Sequence, residues 1–200
     1  MVSYLEFEKP VAALEKRIAE LRQAAGDGDV DISAELRRLE MKSADLLAST
    51  YAALTPWQKT QVARHPMRPH FKDFVEQCFT DFIPLGGDRY FGDDQAIIGG
   101  FARLGDRRVM LIGHEKGNDT QSRIKHNFGM GKPEGYRKAT RLFEIAERFK
   151  MPVVTFVDTP GADAGVEAES RGISEAIAAS MLKMFELTVP SVSVIIGEGG

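Results

Sequence analysis

The sequence predicts an α/β protein with a helical N-terminal region, and three observations carry that expectation. From Met151 to Gly200 two apolar, strand-like runs, each leading into glycine-containing peptide, flank one amphipathic helix, the pattern of a βαβ unit. Ahead of it, two further apolar runs are separated by a turn signal, Leu104-Gly-Asp-Arg107. The first eighty residues instead repeat their apolar positions at helical spacing. The expected organisation is therefore a helical region over residues 1–80 and a sheet-containing domain over 81–200.

Taken in order, Pro10 opens a helix whose apolar positions are Val11, Leu14, Ile18 and Leu21. Gly26-Asp-Gly-Asp29 breaks it, and Ser33 is placed to cap a second helix with Leu36, Leu39, Leu46 and Leu47. The two read as an αα-hairpin with a narrow apolar seam that needs a larger partner to pack on. Thr55-Pro56 starts a short helix ended by Pro66, and another follows with Phe71, Phe74, Val75, Cys78 and Phe79 on its apolar face. Cys78 is thereby expected to be a buried structural thiol rather than a nucleophile. Ala96-Ile-Ile-Gly-Gly-Phe-Ala102 and Val109-Met-Leu-Ile-Gly113 then form a hairpin, with Gly99 and Gly100 marking a bulge or a close backbone approach. A basic loop (Lys116, Arg123, Lys125, Lys132, Arg137, Lys138) leads into a helix from Pro133 to Phe149. That loop is either a solvated face or a surface for a phosphorylated cofactor or acidic partner.

Composition excludes several classes. A net charge of −3, from 26 basic and 29 acidic residues, offers no global field for nucleic acid. No apolar run approaches the roughly 18 residues that span a bilayer, and a single cysteine fits a reducing compartment. A soluble, cytoplasmic protein is expected, without membrane or nucleic-acid partners. The four histidines lack an i, i+4 partner or accompanying cysteine pair, so no metal is expected. There is no Gly-x-Ser-x-Gly elbow and no Ser/His/Asp set.

Asp158-Thr-Pro-Gly161 is the peptide most suggestive of chemistry. Pro160 keeps Thr159 extended, and Gly161 lets the chain turn where a Cβ would obstruct it. The next amides, that of Ala162 included, are then aimed outward together, a device that stabilises an oxygen gaining negative charge. An ordinary strand-to-helix turn is the alternative. The Asp-x-x-Gly switch of GTPases also fits these four residues, but it requires a phosphate loop. Gly131-Lys132 is followed by Pro133, and the upstream glycine position is His126, so that reading fails. Gly197-Glu-Gly-Gly200 permits close approach of a ligand or of a helix.

Together the motifs resemble the α subunit family of bacterial-type acetyl-CoA carboxylase carboxyltransferase. The matching strings are Ala63-Arg-His-Pro-Met-Arg-Pro69, Gly87-Asp-Arg89, Ala96-Ile-Ile-Gly-Gly100 and Ile112-Gly-His-Glu-Lys-Gly117. Further on come Asn127-Phe-Gly-Met130, Pro133-Glu-Gly-Tyr-Arg-Lys138, Glu147-Arg-Phe-Lys-Met-Pro152, Asp158-Thr-Pro-Gly-Ala162, Glu169-Ser-Arg-Gly172 and Ile196-Gly-Glu-Gly-Gly200. The resemblance implies a crotonase-like (ClpP/crotonase) fold, a superhelix of ββα turns, preceded by the helical region. It implies transfer of a carboxyl group from carboxybiotin, carried on the biotin carboxyl carrier protein, to acetyl-CoA. The product is malonyl-CoA for fatty-acid biosynthesis. The implied assembly is an α2β2 heterotetramer with a carboxyltransferase β subunit, alongside biotin carboxylase.

By resemblance, Gly161, Ala162, Gly199 and Gly200 line the approach to the carboxybiotin pocket. The family continues past this peptide with a second glycine pair that carries the α-side oxyanion peptide. The chain is accordingly expected to be an incomplete superhelix, inactive alone, with no catalytic residue assigned within it. A non-catalytic form that only binds a β partner, and a transferase for another acyl-CoA such as propionyl-CoA, are the competing readings. One departure stands out: Asp163-Ala164-Gly165 replaces the family's Tyr-Pro-Gly. A looser loop, and an acid unfavourable to a nearby oxyanion, are expected from it.

Overall fold

The structure is a computed structural model that describes residues 3–26 and 33–200. The chain forms two compact units, 1–66 and 67–200. The expected Gly26–Asp29 break falls largely outside the described residues.

In the first unit, α1 (Lys9–Gly26) packs on α2 (Ser33–Ala52). Val11, Ile18 and Leu39 are buried, the narrow seam that the leucine spacing predicts. An Arg22–Glu40 ion pair of 2.6 Å ties the two helices at the surface. The short helix α3 (Pro56–Ala63) starts as its sequence demands, with Pro56 at its first position. The Thr55 side chain accepts from the Gln58 amide at 3.3 Å, and the Thr55 amide donates to the Gln58 side chain at 2.8 Å. That reciprocal cap satisfies two amides the helix cannot.

The second unit is a sheet of five strands in the order β1 (Thr80–Pro84), β2 (Ile97–Leu104), β3 (Arg107–His114), β4 (Val153–Thr159) and β5 (Ser191–Gly199). The first three run antiparallel, and β3, β4 and β5 run parallel. Parallel neighbours need crossovers. Here α6 (Pro133–Phe149) joins β3 to β4 and α8 (Ile173–Phe185) joins β4 to β5. Two smaller helices, α5 (Thr120–Lys125) and α7 (Val166–Ser170), lie in the intervening loops. The side-chain alternation of β3 shows how the sheet is covered. Met110 and Ile112 face Leu142, Phe143 and Ala146 of α6, whereas Val109 and Leu111 face Phe71, Phe79 and Phe156. A strand buried on both faces reads as an unbroken apolar run, as this one does.

Several expectations change. Strand β1 was not expected. Its exposed residues give no apolar alternation, and a register irregularity between Thr80 and Ile83, with Asp81 at φ +52, interrupts its pairing. The helix α4 (Phe71–Cys78) belongs to the second unit, which begins at Met67 rather than after residue 80, because Phe71 is in the sheet core. Cys78 is exposed, not buried. The helix ends at Cys78, and extended Phe79 takes the inward position instead. Gly100 marks a close approach, since a Cβ there would sit 2.0 Å from the Ile83 carbonyl oxygen, while the β2–β3 ladder runs without a bulge.

Candidate functional site

The carboxyl ends of β4 and β5 bring Gly161 and Gly200 together, with Ala162 and Gly199 next to them in the chain. The strands pair in parallel through Val157 and Ile195, shift register, and pair again at Thr159 and Gly199. The Gly200 amide then donates to the Thr159 carbonyl at 3.0 Å. A Cβ on Gly200 would lie 2.5 Å from the Pro160 oxygen and 3.1 Å from the Gly161 nitrogen. The two glycine peptides are thus in van der Waals contact. Gly161 is needed for its backbone angle, φ +144, and not for space as expected: a Cβ there would meet no atom within 4 Å.

Hydrogen bonds define which amides face outward. The Gly161 amide donates to the Thr159 hydroxyl at 3.1 Å, and that hydroxyl donates to the Gly161 carbonyl at 2.8 Å. The Asp163 amide donates to the Gly131 carbonyl at 2.9 Å. Between them, the Ala162 amide has no acceptor among the described residues. Asp163 does not loosen the loop. Its carboxylate accepts from the Gly165 amide at 2.8 Å and from the Asn127 side chain at 3.0 Å, pinning the turn at both ends.

Beneath these peptides lies a charged network that linear spacing did not reveal. Asp158 is 1% exposed. Lys116 reaches its Oδ1 at 2.8 Å and the Glu198 carboxylate at 2.5 Å. The Glu198 amide donates to the same Asp158 oxygen at 3.0 Å, and His70 Nδ1 lies 3.4 Å from the other. The Arg68 guanidinium donates to the Ile196 carbonyl. Burial alone would push the Asp158 carboxyl up. Hydrogen bonds from His70, Lys116 and the Glu198 amide, with the Lys116 charge, outweigh it and hold the pKa at about 2. Gly197 has to be glycine for this contact, since a Cβ would lie 2.3 Å from Asp158 Oδ1.

The basic loop resolves into separate roles. Lys116 is the internal counter-ion just described. Lys138, with a side chain 4% exposed, donates to Asp93 and to the Asp94 carbonyl, both at 2.6 Å. Near it, buried His126 has Nδ1 2.5 Å from the Gln95 carbonyl and Nε2 2.9 Å from the Lys72 ammonium. A single proton on Nδ1 satisfies both contacts. Burial pushes the His114 pKa below its ordinary value. Among the described residues, no group of three or more His, Cys, Asp or Glu is placed to hold a metal ion. No helix among them is long and apolar enough to cross a membrane.

Solved structures place this arrangement in a fold class. The transcarboxylase 12S subunit superposes with a TM-score of 0.53 at 22% identity, over 68% of this chain and 26% of that one. The beta subunit of geranyl-CoA carboxylase from P. aeruginosa gives 0.51 at 19% identity, over 65% and 22%. These likenesses show the crotonase-like α/β fold. The family model described as acetyl co-enzyme A carboxylase carboxyltransferase-like matches residues 4–200, and the chain belongs to that family. It is 69% identical to the acetyl-coenzyme A carboxylase carboxyl transferase subunit alpha of Erythrobacter litoralis, and 65% identical to that of Rhizorhabdus wittichii. Each match covers the whole chain and 64% of the relative.

Proposed function

We propose that this chain is part of the α subunit of an acetyl-CoA carboxyltransferase. In this reading it works with a β subunit in an α2β2 assembly and receives carboxybiotin on a carrier protein charged by biotin carboxylase. The product is malonyl-CoA for fatty-acid biosynthesis. The observation that carries the reading is the close approach of Gly200 to Pro160 and Gly161, next in the chain to the Ala162 amide, which has no acceptor among the described residues.

The residues fit such a group. Carboxybiotin, when bound, supplies the carboxyl that is transferred. The Ala162 amide donates to an oxygen that gains negative charge, and such preorganised donors are worth about 10²–10³ in kcat. Gly161 sets the direction of that amide, while Gly199 and Gly200 allow close approach along the strand end. Asp163 is held by the Asn127 side chain and the Gly165 amide. No side-chain nucleophile is required of the chain.

The test uses the chain extended to the length of its relatives, combined with a relative's β subunit. Carboxyl transfer from malonyl-CoA to a soluble biotin derivative is followed alongside complex formation. Transfer that needs both subunits is expected. A stable complex without transfer would overturn the reading.

A further inference from the structure

We infer that Lys116 is a positioning residue, which bridges Asp158 and Glu198 so that the Gly197–Gly200 peptide is held against Gly161. The assignment rests on the carboxyltransferase reading above and adds to it the device that sets the geometry of the site.

Lys116 lies two residues beyond the end of β3, in a different segment from the peptides it organises. Its stem passes the turn at Gly129, where a Cβ would stand 2.7 Å from its Cγ. Its ammonium ends between two carboxylates, at 2.8 Å from Asp158 and 2.5 Å from Glu198, with side chains only 14%, 2% and 12% exposed. Glu198 is therefore held both by its amide, on Asp158, and by its carboxylate, on Lys116. Alternate residues of the same peptide are fixed too: Ile196 by Arg68, and Gly200 by the Thr159 carbonyl.

Without the ammonium, Asp158 and Glu198 lose the cation that lies between them in a site largely closed to water. Each carboxylate gives up a charge-assisted bond whose loss burial makes costly. The tie between the segment after β3 and the end of β5 is lost with it, so that Gly199 and Gly200 are held less closely against Gly161. A displacement of about 1 Å in a reacting constellation can cost about 10²-fold in rate. The cationic strap is thus a condition for the site's geometry, while it touches no reacting atom itself.

The experiment compares the full-length α subunit, in complex with its β subunit, as wild type, Lys116→Met, Lys116→Arg and Glu198→Gln. It reads kcat, KM for malonyl-CoA, thermal midpoint and complex formation. Lys116→Met is expected to lower kcat by about 10²-fold with KM changed by less than about threefold, in a complex that still assembles. Lys116→Arg is expected to recover at least about a tenth of the wild-type kcat, because it restores the charge between the carboxylates. A folded, assembled Lys116→Met with kcat within about twofold of wild type would overturn the assignment and leave the carboxyltransferase reading standing. Should Lys116→Met fail to fold, Glu198→Gln decides, since it keeps the side-chain volume and removes the charge that Lys116 meets. Full activity there would overturn the assignment, and a lowered kcat at unchanged KM would support it. A wild-type complex without transfer would overturn the underlying reading, and the positioning role with it.

Discussion

The two units use the same pair of chemical groups, a lysine ammonium and a carboxylate, in opposite ways. In the first unit, Lys16 and Glu20 lie 3.8 Å apart with side chains 80% and 65% exposed. Their attraction is screened by water and offset by side-chain entropy. In the second unit, Lys116 and Asp158 meet at 2.8 Å in a site nearly closed to solvent. There the desolvation cost has already been met, so breaking the pair leaves a bare charge in a poor medium. The lesson concerns position more than chemistry: distance alone does not rank ion pairs, and burial decides which of them organise a structure.

The sharpest way to break this comparison is to remove Asp158. Asp158→Ala strands the Lys116 ammonium, the Glu198 amide and His70, and is expected to destabilise the chain by about 3–5 kcal/mol, measured by urea denaturation. A pH series sharpens the same point. Asp158 has a folded pKa of about 2 against an ordinary value of 3.8. Its contribution to stability is full above the unfolded pKa and is lost as pH falls through the folded one. The urea midpoint should therefore drop between about pH 4 and pH 2, less steeply in Asp158→Asn. On the backbone side, Gly161→Val forces a β-branched residue to φ +144. It is expected to cost about 1–3 kcal/mol in stability and to abolish transfer in the full-length complex without unfolding it. Lys16→Ala completes the series, with an expected change below about 0.5 kcal/mol. A loss at Lys16 equal to that at Asp158 would refute the contrast.

Legibility followed the same division. The hairpin, the helix from Pro133 to Phe149 and the βαβ unit were readable because their apolar residues recur at periods set by the backbone itself. The cap at Thr55-Pro56 was readable because it is made by neighbours in sequence. Strand β1 was not, because an irregular edge strand with little burial leaves no periodic trace. Cys78 read as buried from its helical spacing, yet the helix stops at that residue, and element ends are where periodic arguments fail. Gly161, Ala162, Gly199 and Gly200 could be singled out one by one from glycine and proline placement. The approach of Gly200 to Gly161 depends on the register of β4 against β5.

What the sequence by itself determined was local. It specified the helical start, the α/β alternation, the turn after Thr159 and the family to which the motifs belong. Those features arise from φ/ψ preferences and side-chain periodicity acting over a few residues. Only the tertiary structure decided that Lys116 and Lys138 are internal counter-ions rather than a solvated basic face. It also decided that Asp158, Glu198 and His70 share one network. The physical reason is that a charge's role depends on what surrounds it. Water or a buried carboxylate becomes its partner only when strands far apart in sequence are brought side by side.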